Sequence, residues 1–224
     1  MTPYYEHAGI TIYHGDCREI LPGLPRVDVV LTCPPWGISG SSGTINEARG
    51  KGNYSSAFVD DADNLAAVTV PTIKRLIETV PCVVVTPGFF YLSQYPQPKS
   101  FGCFYQPAAC GMQTFGHGDA QPIYYYGKNA KGNNLVPCSY LLTEAPEANG
   151  HPCPKPEKAW TRLLGNVSRE GQTILDPFMG SGTTLVAAKN LGRKAIGIEI
   201  EEKYCEIAAK RLAQEVFSFE GDAA

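Results

Sequence analysis

The sequence predicts one doubly wound α/β domain on a mostly parallel sheet with a small irregular insert, residues 1–224 forming a single domain. Three observations predict it. Short apolar runs alternate with stretches of helical period, the pattern of strand–helix units that feed a parallel sheet. The run Asp-Pro-Phe-Met-Gly-Ser-Gly-Thr-Thr at 176–184 places a Gly-rich turn between an apolar strand run at 173–175 and a helical pattern at 185–191. The run Val-Asp-Val-Val-Leu-Thr-Cys-Pro-Pro-Trp-Gly at 27–37 carries an apolar strand into two prolines, which stop a hydrogen-bond ladder and stiffen its exit.

In chain order, 9–14 and 27–32 read as strands around a short helical stretch at 17–21. Residues 62–79 read as mostly helical, with Leu65, Val68, Ile73, Leu76 and Ile77 on one face; Pro71 starts a new segment within it. Residues 82–86 read as a buried strand and 123–128 as a strand that leaves through Gly127. Between them, 87–120 is rich in Pro, Gly and aromatic residues and has no period. Most of Phe89, Phe90, Tyr91, Tyr95, Phe101, Phe104, Tyr105 and Phe115 read as a small satellite core, because aromatic clusters pack more often than they bind. Residues 157–164 read as a helix, 195–199 as a strand, and 202–216 as a last helix before a frayed acidic tail.

Composition sets bounds. A chain of 224 residues can bury the core of one such domain. There is no apolar stretch near twenty residues and no basic-then-apolar start, so neither a membrane span nor a secretion signal is expected, and the cytoplasm is the expected location. The eight cysteines show no Cys-x-x-Cys spacing and read as reduced thiols. A zinc site from Cys103, Cys110, His117 and Cys138 is a weaker alternative whose spacing fits no zinc pattern, so no metal is expected. A net charge of −3 does not advertise a nucleic-acid partner, although local patches matter more than the sum.

The Gly-rich turn is a ligand cradle. Its glycines let backbone approach a ligand, and the helix start beyond them offers unpaired N–H groups to an anion. A P-loop would need Lys after its last Gly, and a dinucleotide loop would need a third Gly; both are missing here. An acid at the end of the next strand, Glu199, suits a ribose hydroxyl pair. The ligand that remains is S-adenosylmethionine, with a plain strand–turn–helix as the bland alternative. The Pro-Pro-Trp exit suits a different partner. Fixed carbonyls can orient an exocyclic amine, and Trp36 offers a flat face to a base.

Together these runs resemble the amino-group DNA methyltransferases that modify cytosine N4 or adenine N6. The family's tetrad, Asp/Asn/Ser-Pro-Pro-aromatic, stands here as Cys33-Pro34-Pro35-Trp36, and its donor signature is matched by 176–184. His151-Pro152-Cys153-Pro154-Lys155-Pro156 matches the stretch that packs near the donor's methionine part, and Gly15-Asp16-Cys17 matches the segment whose acid lies near its adenine. The order, tetrad first and donor loop last, resembles the β group. The resemblance implies a class I S-adenosylmethionine-dependent methyltransferase fold and a DNA (cytosine-N4 or adenine-N6) methyltransferase. It implies a tetrad of Cys33, Pro34, Pro35 and Trp36 and a donor site of Asp16, Cys17, His151, Lys155, Asp176, Pro177, Phe178, Gly180, Ser181, Gly182, Thr183, Thr184 and Glu199.

Cys33 departs from the family. Its thiol is closest in shape to Ser, which favours cytosine N4 through the Ser-type subgroup, with adenine N6 the alternative. A thiol that contributes only its backbone, an RNA methyltransferase and a catalytically silent nucleic-acid-binding relative are the other readings. In the family a variable insert reads the target sequence, and 87–150 holds the candidate stretch. Arg49 and Lys51, in the Gly/Ser-rich loop after the tetrad, and Lys128 and Lys131, in a second loop, are the candidate phosphate contacts. The expected partner is duplex DNA, with single-stranded DNA and a homodimer as further options.

Overall fold

The computed structural model describes residues 2–38, 59–105, 111–113, 116–132, 136–143, 149–151 and 153–214. The elements run β1 (Tyr5–His7), β2 (Ile10–His14), α1 (Cys17–Ile20), β3 (Val29–Thr32), α2 (Ala62–Asn64), α3 (Val70–Thr79), β4 (Cys82–Val85), β5 (Ser100–Tyr105), β6 (Gly111–Gln113), β7 (Gly116–Gly118), β8 (Ala120–Gly127) and β9 (Tyr140–Leu141). The chain closes with α4 (Glu157–Val167), β10 (Thr173–Asp176), α5 (Thr183–Asn190), β11 (Lys194–Glu199) and α6 (Glu202–Ala213). Strands β1-β2-β11-β10-β3-β4-β8-β5-β9 form one mixed sheet in that order. Its centre, β2 through β4, is parallel, whereas β1 and β8 run antiparallel to their neighbours.

Alternation along the central strands makes two buried faces. Val29 and Leu31 of β3 pack with Trp160, Leu163 and Leu164 of α4, Leu185 of α5 and Ala208 of α6. Val30 packs the other way, with Val83 and Val85 of β4 and with Leu65, Ile73 and Leu76. The result is a three-layer, doubly wound fold of the expected class.

Local chemistry explains the long helical stretch. Asp61 caps α2 by accepting from the Asn64 N–H at 2.8 Å. A π turn follows at Leu65–Thr69, in which the Val70 N–H reaches the Leu65 carbonyl, and Pro71, which has no N–H to give, comes directly after this change of hydrogen-bond pattern, in the first turn of α3. Several strands differ from the sequence expectation. β1 and β9 were not anticipated, and 87–120, read as irregular, supplies β5 to the main sheet and the separate pair β6–β7. The period of β5 is hidden because Phe101 and Tyr105 stay exposed, while an inward position is Gly102, where a Cβ would meet the Cys138 carbonyl oxygen.

β10 leads through α5 to β11 on one side, and β3 leads through α2 and α3 to β4 on the other. The chain therefore leaves the β10–β3 boundary in opposite directions, which makes the carboxyl ends of these two strands a topological switch point.

Candidate active site

Asp176 ends β10 and is 3% exposed. Its Oδ1 accepts from the Thr32 hydroxyl at 2.7 Å and the Phe178 N–H at 3.2 Å, and its Oδ2 accepts from the Thr184 hydroxyl at 2.5 Å. Thr184 in turn accepts from the Trp160 indole N–H at 2.9 Å. Burial pushes the Asp176 carboxyl up to about 6, against these hydrogen bonds, which favour the charged form. These bonds tie the start of the Gly-rich loop to β3 and to the first turn of α5. Pro177, Gly180, Ser181, Gly182, Thr183 and Thr184 are buried and Phe178 is half-buried. Gly180 and Gly182 have φ of 51° and 79°, which the loop requires. Among the described residues no acceptor is found for the Ser181 and Thr183 N–H groups.

Glu199 ends β11 and accepts from the Gly180 N–H at 2.8 Å and the Glu201 N–H at 3.0 Å. Burial pushes its carboxyl up to about 7 against those two N–H groups. The neighbouring strand, β2, brings Gly15 and Asp16 alongside: the Gly15 N–H donates to the Glu199 carbonyl at 2.9 Å. Asp16 caps α1 and pairs with Arg18 at 2.5 Å; the Arg18 hydrogen bond holds its carboxyl below the usual range. Cys17 faces the core instead, its thiol pushed up to about 11 by burial and 4.0 Å from the Thr72 hydroxyl. His151 covers the loop: a Cβ at Gly180 would lie 2.8 Å from its Nε2, and its ring packs on Tyr204. Burial, with Lys155 second, lowers its pKa to about 4, so it is neutral at physiological pH.

The tetrad forms a corner just beyond β3. The Trp36 indole N–H donates to the Thr86 carbonyl at 3.2 Å and its ring meets Phe89 edge-on at 5.8 Å. Gly88 (φ 75°) packs so closely that a Cβ there would lie 2.6 Å from the ring. The Cys33 thiol faces the same Thr86 carbonyl at 3.8 Å, and burial pushes it up, so it is uncharged at neutral pH. Pro34 is buried and Pro35 half-buried. Asp60 holds the far side, accepting from the Gly37 N–H at 2.5 Å.

Lys155, expected with the donor, has its Nζ 5.0 Å from the Trp36 ring centroid and 3.3 Å from Cys153 Sγ, and its charge also acts on His151 and Asp176 beside the Gly-rich loop. Sequence reasoning passed over Thr32, Thr86, Asp60, Trp160, Asn149 and Arg211. Asn149 donates to the Ser181 hydroxyl at 3.0 Å, and Arg211 ties the Ser181 carbonyl (2.7 Å) to Glu157 (3.1 Å). Only the unusual Thr-Cys-Pro-Pro start could have flagged Thr32; the others carry no local signal. The Tyr95 hydroxyl, buried, has no partner among the described residues.

Lys128 and Lys131 stand elsewhere. Gly127 lies opposite Cys82, the first residue of β4, whereas Thr32 lies opposite Val85, the last. That separates the two lysines from the tetrad's level by about 10 Å along the strands, at the opposite end of the sheet. Lys131 borders a groove of about 450 Å³ with Lys158 and Arg162 of α4. Arg49, Lys51, Cys110 and Phe115 lie outside the described residues. Among the described residues no three His, Cys, Asp or Glu side chains are grouped to hold a metal, and no helix is long and apolar enough to cross a membrane.

A family model described as DNA methylase, of the N6/N4 type, matches residues 93–210. The chain belongs to the N6/N4 DNA methylase family. The match covers the donor half of this methylase; full-length likeness covers the tetrad half too. The Type II methyltransferase M2.LlaDCHI of Lactococcus lactis subsp. cremoris is 29% identical over 94% of this chain and 91% of its own. The crystal structure of M1.HpyAVI in complex with SAM is 25% identical, with a TM-score of 0.64 over 92% of this chain and all of that one. The cytosine-N4-specific PvuII DNA methyltransferase shares the fold, with a TM-score of 0.69 at 17% identity.

Proposed function

We propose that this DNA methylase moves a methyl group from S-adenosylmethionine to the exocyclic amine of a flipped base, cytosine N4 in preference to adenine N6. The observation that carries the reading is the meeting of the two runs at one switch point, where Thr32, the residue before the tetrad, bonds Asp176 at the start of the Gly-rich loop at 2.7 Å.

The residues fit the donor. The unclaimed N–H groups of Ser181 and Thr183 would hold its carboxylate, Glu199 its ribose hydroxyls, and Asp16, one strand along, would stand at its adenine end. When bound, S-adenosylmethionine supplies an electrophilic methyl group. This chain's own residues supply orientation. Trp36 stacks the base, the Pro34 carbonyl accepts one amine hydrogen, and the amine lone pair is thereby directed outward. The amine's surplus proton leaves to water.

The uncharged Cys33 thiol supports the cytosine preference. Held neutral by burial, it stands in for a Ser hydroxyl rather than an Asp carboxylate, and the Ser form of the tetrad resembles the cytosine-N4 subgroup. Arg49 and Lys51, which follow the tetrad in sequence, are the proposed phosphate contacts. The test is methyl transfer from labelled S-adenosylmethionine to unmethylated DNA, followed by digestion and mass spectrometry of the nucleosides. N4-methylcytosine is expected; N6-methyladenine would overturn the cytosine preference while leaving the enzyme class in place.

A further inference from the structure

The sheet splits at its functional edge. β3 and β10 share only the pairs Val29↔Ile174 and Val30↔Leu175. Beyond them β3 stays paired to β4 through Thr32↔Val85, and β10 stays paired to β11 through Asp176↔Gly197. The backbone ladder between the two halves therefore ends before the Gly-rich loop at Asp176 and the tetrad at Cys33 begin. Past that point side chains join the halves. The Thr32 hydroxyl donates to Asp176 Oδ1 at 2.7 Å, and Thr184, from the far side of the loop, donates to Asp176 Oδ2 at 2.5 Å while standing 3.4 Å from the Leu31 carbonyl. Thr32 is fully buried, Thr184 is 1% exposed, and the Trp160 indole N–H closes the chain of bonds onto Thr184.

On the tetrad side the connection continues. The Thr32 carbonyl accepts from the Thr86 N–H at 3.0 Å, and the Thr86 carbonyl receives both the Trp36 indole N–H and the Cys33 thiol. One buried path of hydrogen bonds thus runs from α4 and the Gly-rich loop, through Asp176 and Thr32, to the side chains of the tetrad.

We propose that Thr32 is a positioning residue for methyl transfer: its bond to Asp176 clamps the donor half of the sheet to the acceptor half across the split. The proposal rests on the methyl-transfer reading of this site. In-line transfer tolerates little misplacement, a shift of about 1 Å costing on the order of a hundredfold in rate. A ladder that stops short would leave that alignment to backbone stiffness and the longer Thr184–Leu31 contact at 3.4 Å. The clamp supplies it without touching either ligand. Its loss therefore acts on turnover and spares donor affinity, because the loop keeps its Thr184, Phe178 and Glu199 bonds.

The test compares Thr32→Val, Thr32→Cys and Thr32→Ser in the full chain. Turnover on DNA is read by label transfer, S-adenosylmethionine affinity by equilibrium binding, and folding by thermal melting. Thr32→Val is expected to lower kcat by roughly ten- to a hundredfold with donor Kd within about threefold. Thr32→Ser is expected to restore kcat to near wild type, and Thr32→Cys, a weak donor, to fall between. If Thr32→Val does not fold, the Ser-against-Cys difference in kcat carries the same comparison. Unchanged kcat in Val and Cys variants would overturn the clamp, as would a loss of donor affinity equal to the loss of kcat. A wild-type chain that binds donor but methylates no DNA would instead sink the reading on which the proposal rests.

Discussion

Replacing Asp176 by Asn isolates the cost of holding a carboxylate in the wall of the site. The amide can be accommodated. Its oxygen keeps the Thr32 and Phe178 donors, and its NH2 donates to the Thr184 hydroxyl, which turns its own proton to the Leu31 carbonyl 3.4 Å away. What changes is the titration. Burial raises the Asp176 carboxyl from 3.8 to about 6. A raised folded pKa means that the folded chain holds its proton more tightly than the unfolded chain. The stability linked to that proton is full below the unfolded value and is lost as pH rises through the folded one. Two units correspond to about 3 kcal/mol, of which about half falls between roughly pH 5 and pH 8. At 3% exposure, solvent does little to screen it. Urea unfolding of both proteins at those two pH values reads the effect directly. Moving from the lower to the higher pH, Asp176→Asn should gain about 1.5 kcal/mol on the wild type. Parallel pH dependence of the two proteins would refute the reasoning, since it would mean that Asp176 titrates alike in folded and unfolded chains.

Three further outcomes follow from the same geometry. Burial holds Glu199 near pH 7, so donor affinity should rise as pH climbs from about 6 to 8 and the ribose acceptor ionises; Glu199→Gln should flatten that profile and weaken binding about tenfold or more, read by calorimetry. Gly182→Ala places a Cβ 2.7 Å from the Ala208 Cβ at a φ of 79°, and thermal melting should show a loss of roughly 1–3 kcal/mol. Lys155→Met removes the cation over Trp36 while keeping the apolar stem, so turnover should fall several-fold with donor Kd within about threefold; the reverse pattern would place Lys155 with the donor.

Much of this site is legible in the sequence because its chemistry is local. The Gly-rich loop and the Pro-Pro corner are contiguous runs whose backbone demands are written in residue type, and both fall at strand ends as expected. The alternation of Val29, Val30 and Leu31 between two buried faces follows from an apolar run that must be covered on both sides. What the sequence hides is partnership across distance. Asp176 can be read as part of the donor loop, but nothing local reveals that Thr32, 144 positions away, donates to its Oδ1. Lys155 sits in a donor-associated motif, and its approach to Trp36, more than a hundred positions earlier, is visible only in three dimensions. β5 escapes a periodicity search because its outward residues are aromatic and an inward one is a glycine.

The most direct measurement is label transfer from S-adenosylmethionine to duplex DNA by the wild type and Trp36→Ala, with donor binding followed on the same preparations. The account predicts transfer by the wild type, a loss on the order of a hundredfold in the variant, and donor affinity within about threefold in both. A variant that loses donor binding and retains turnover at saturating donor would contradict the assignment of Trp36 to the base and the Gly-rich loop to the donor.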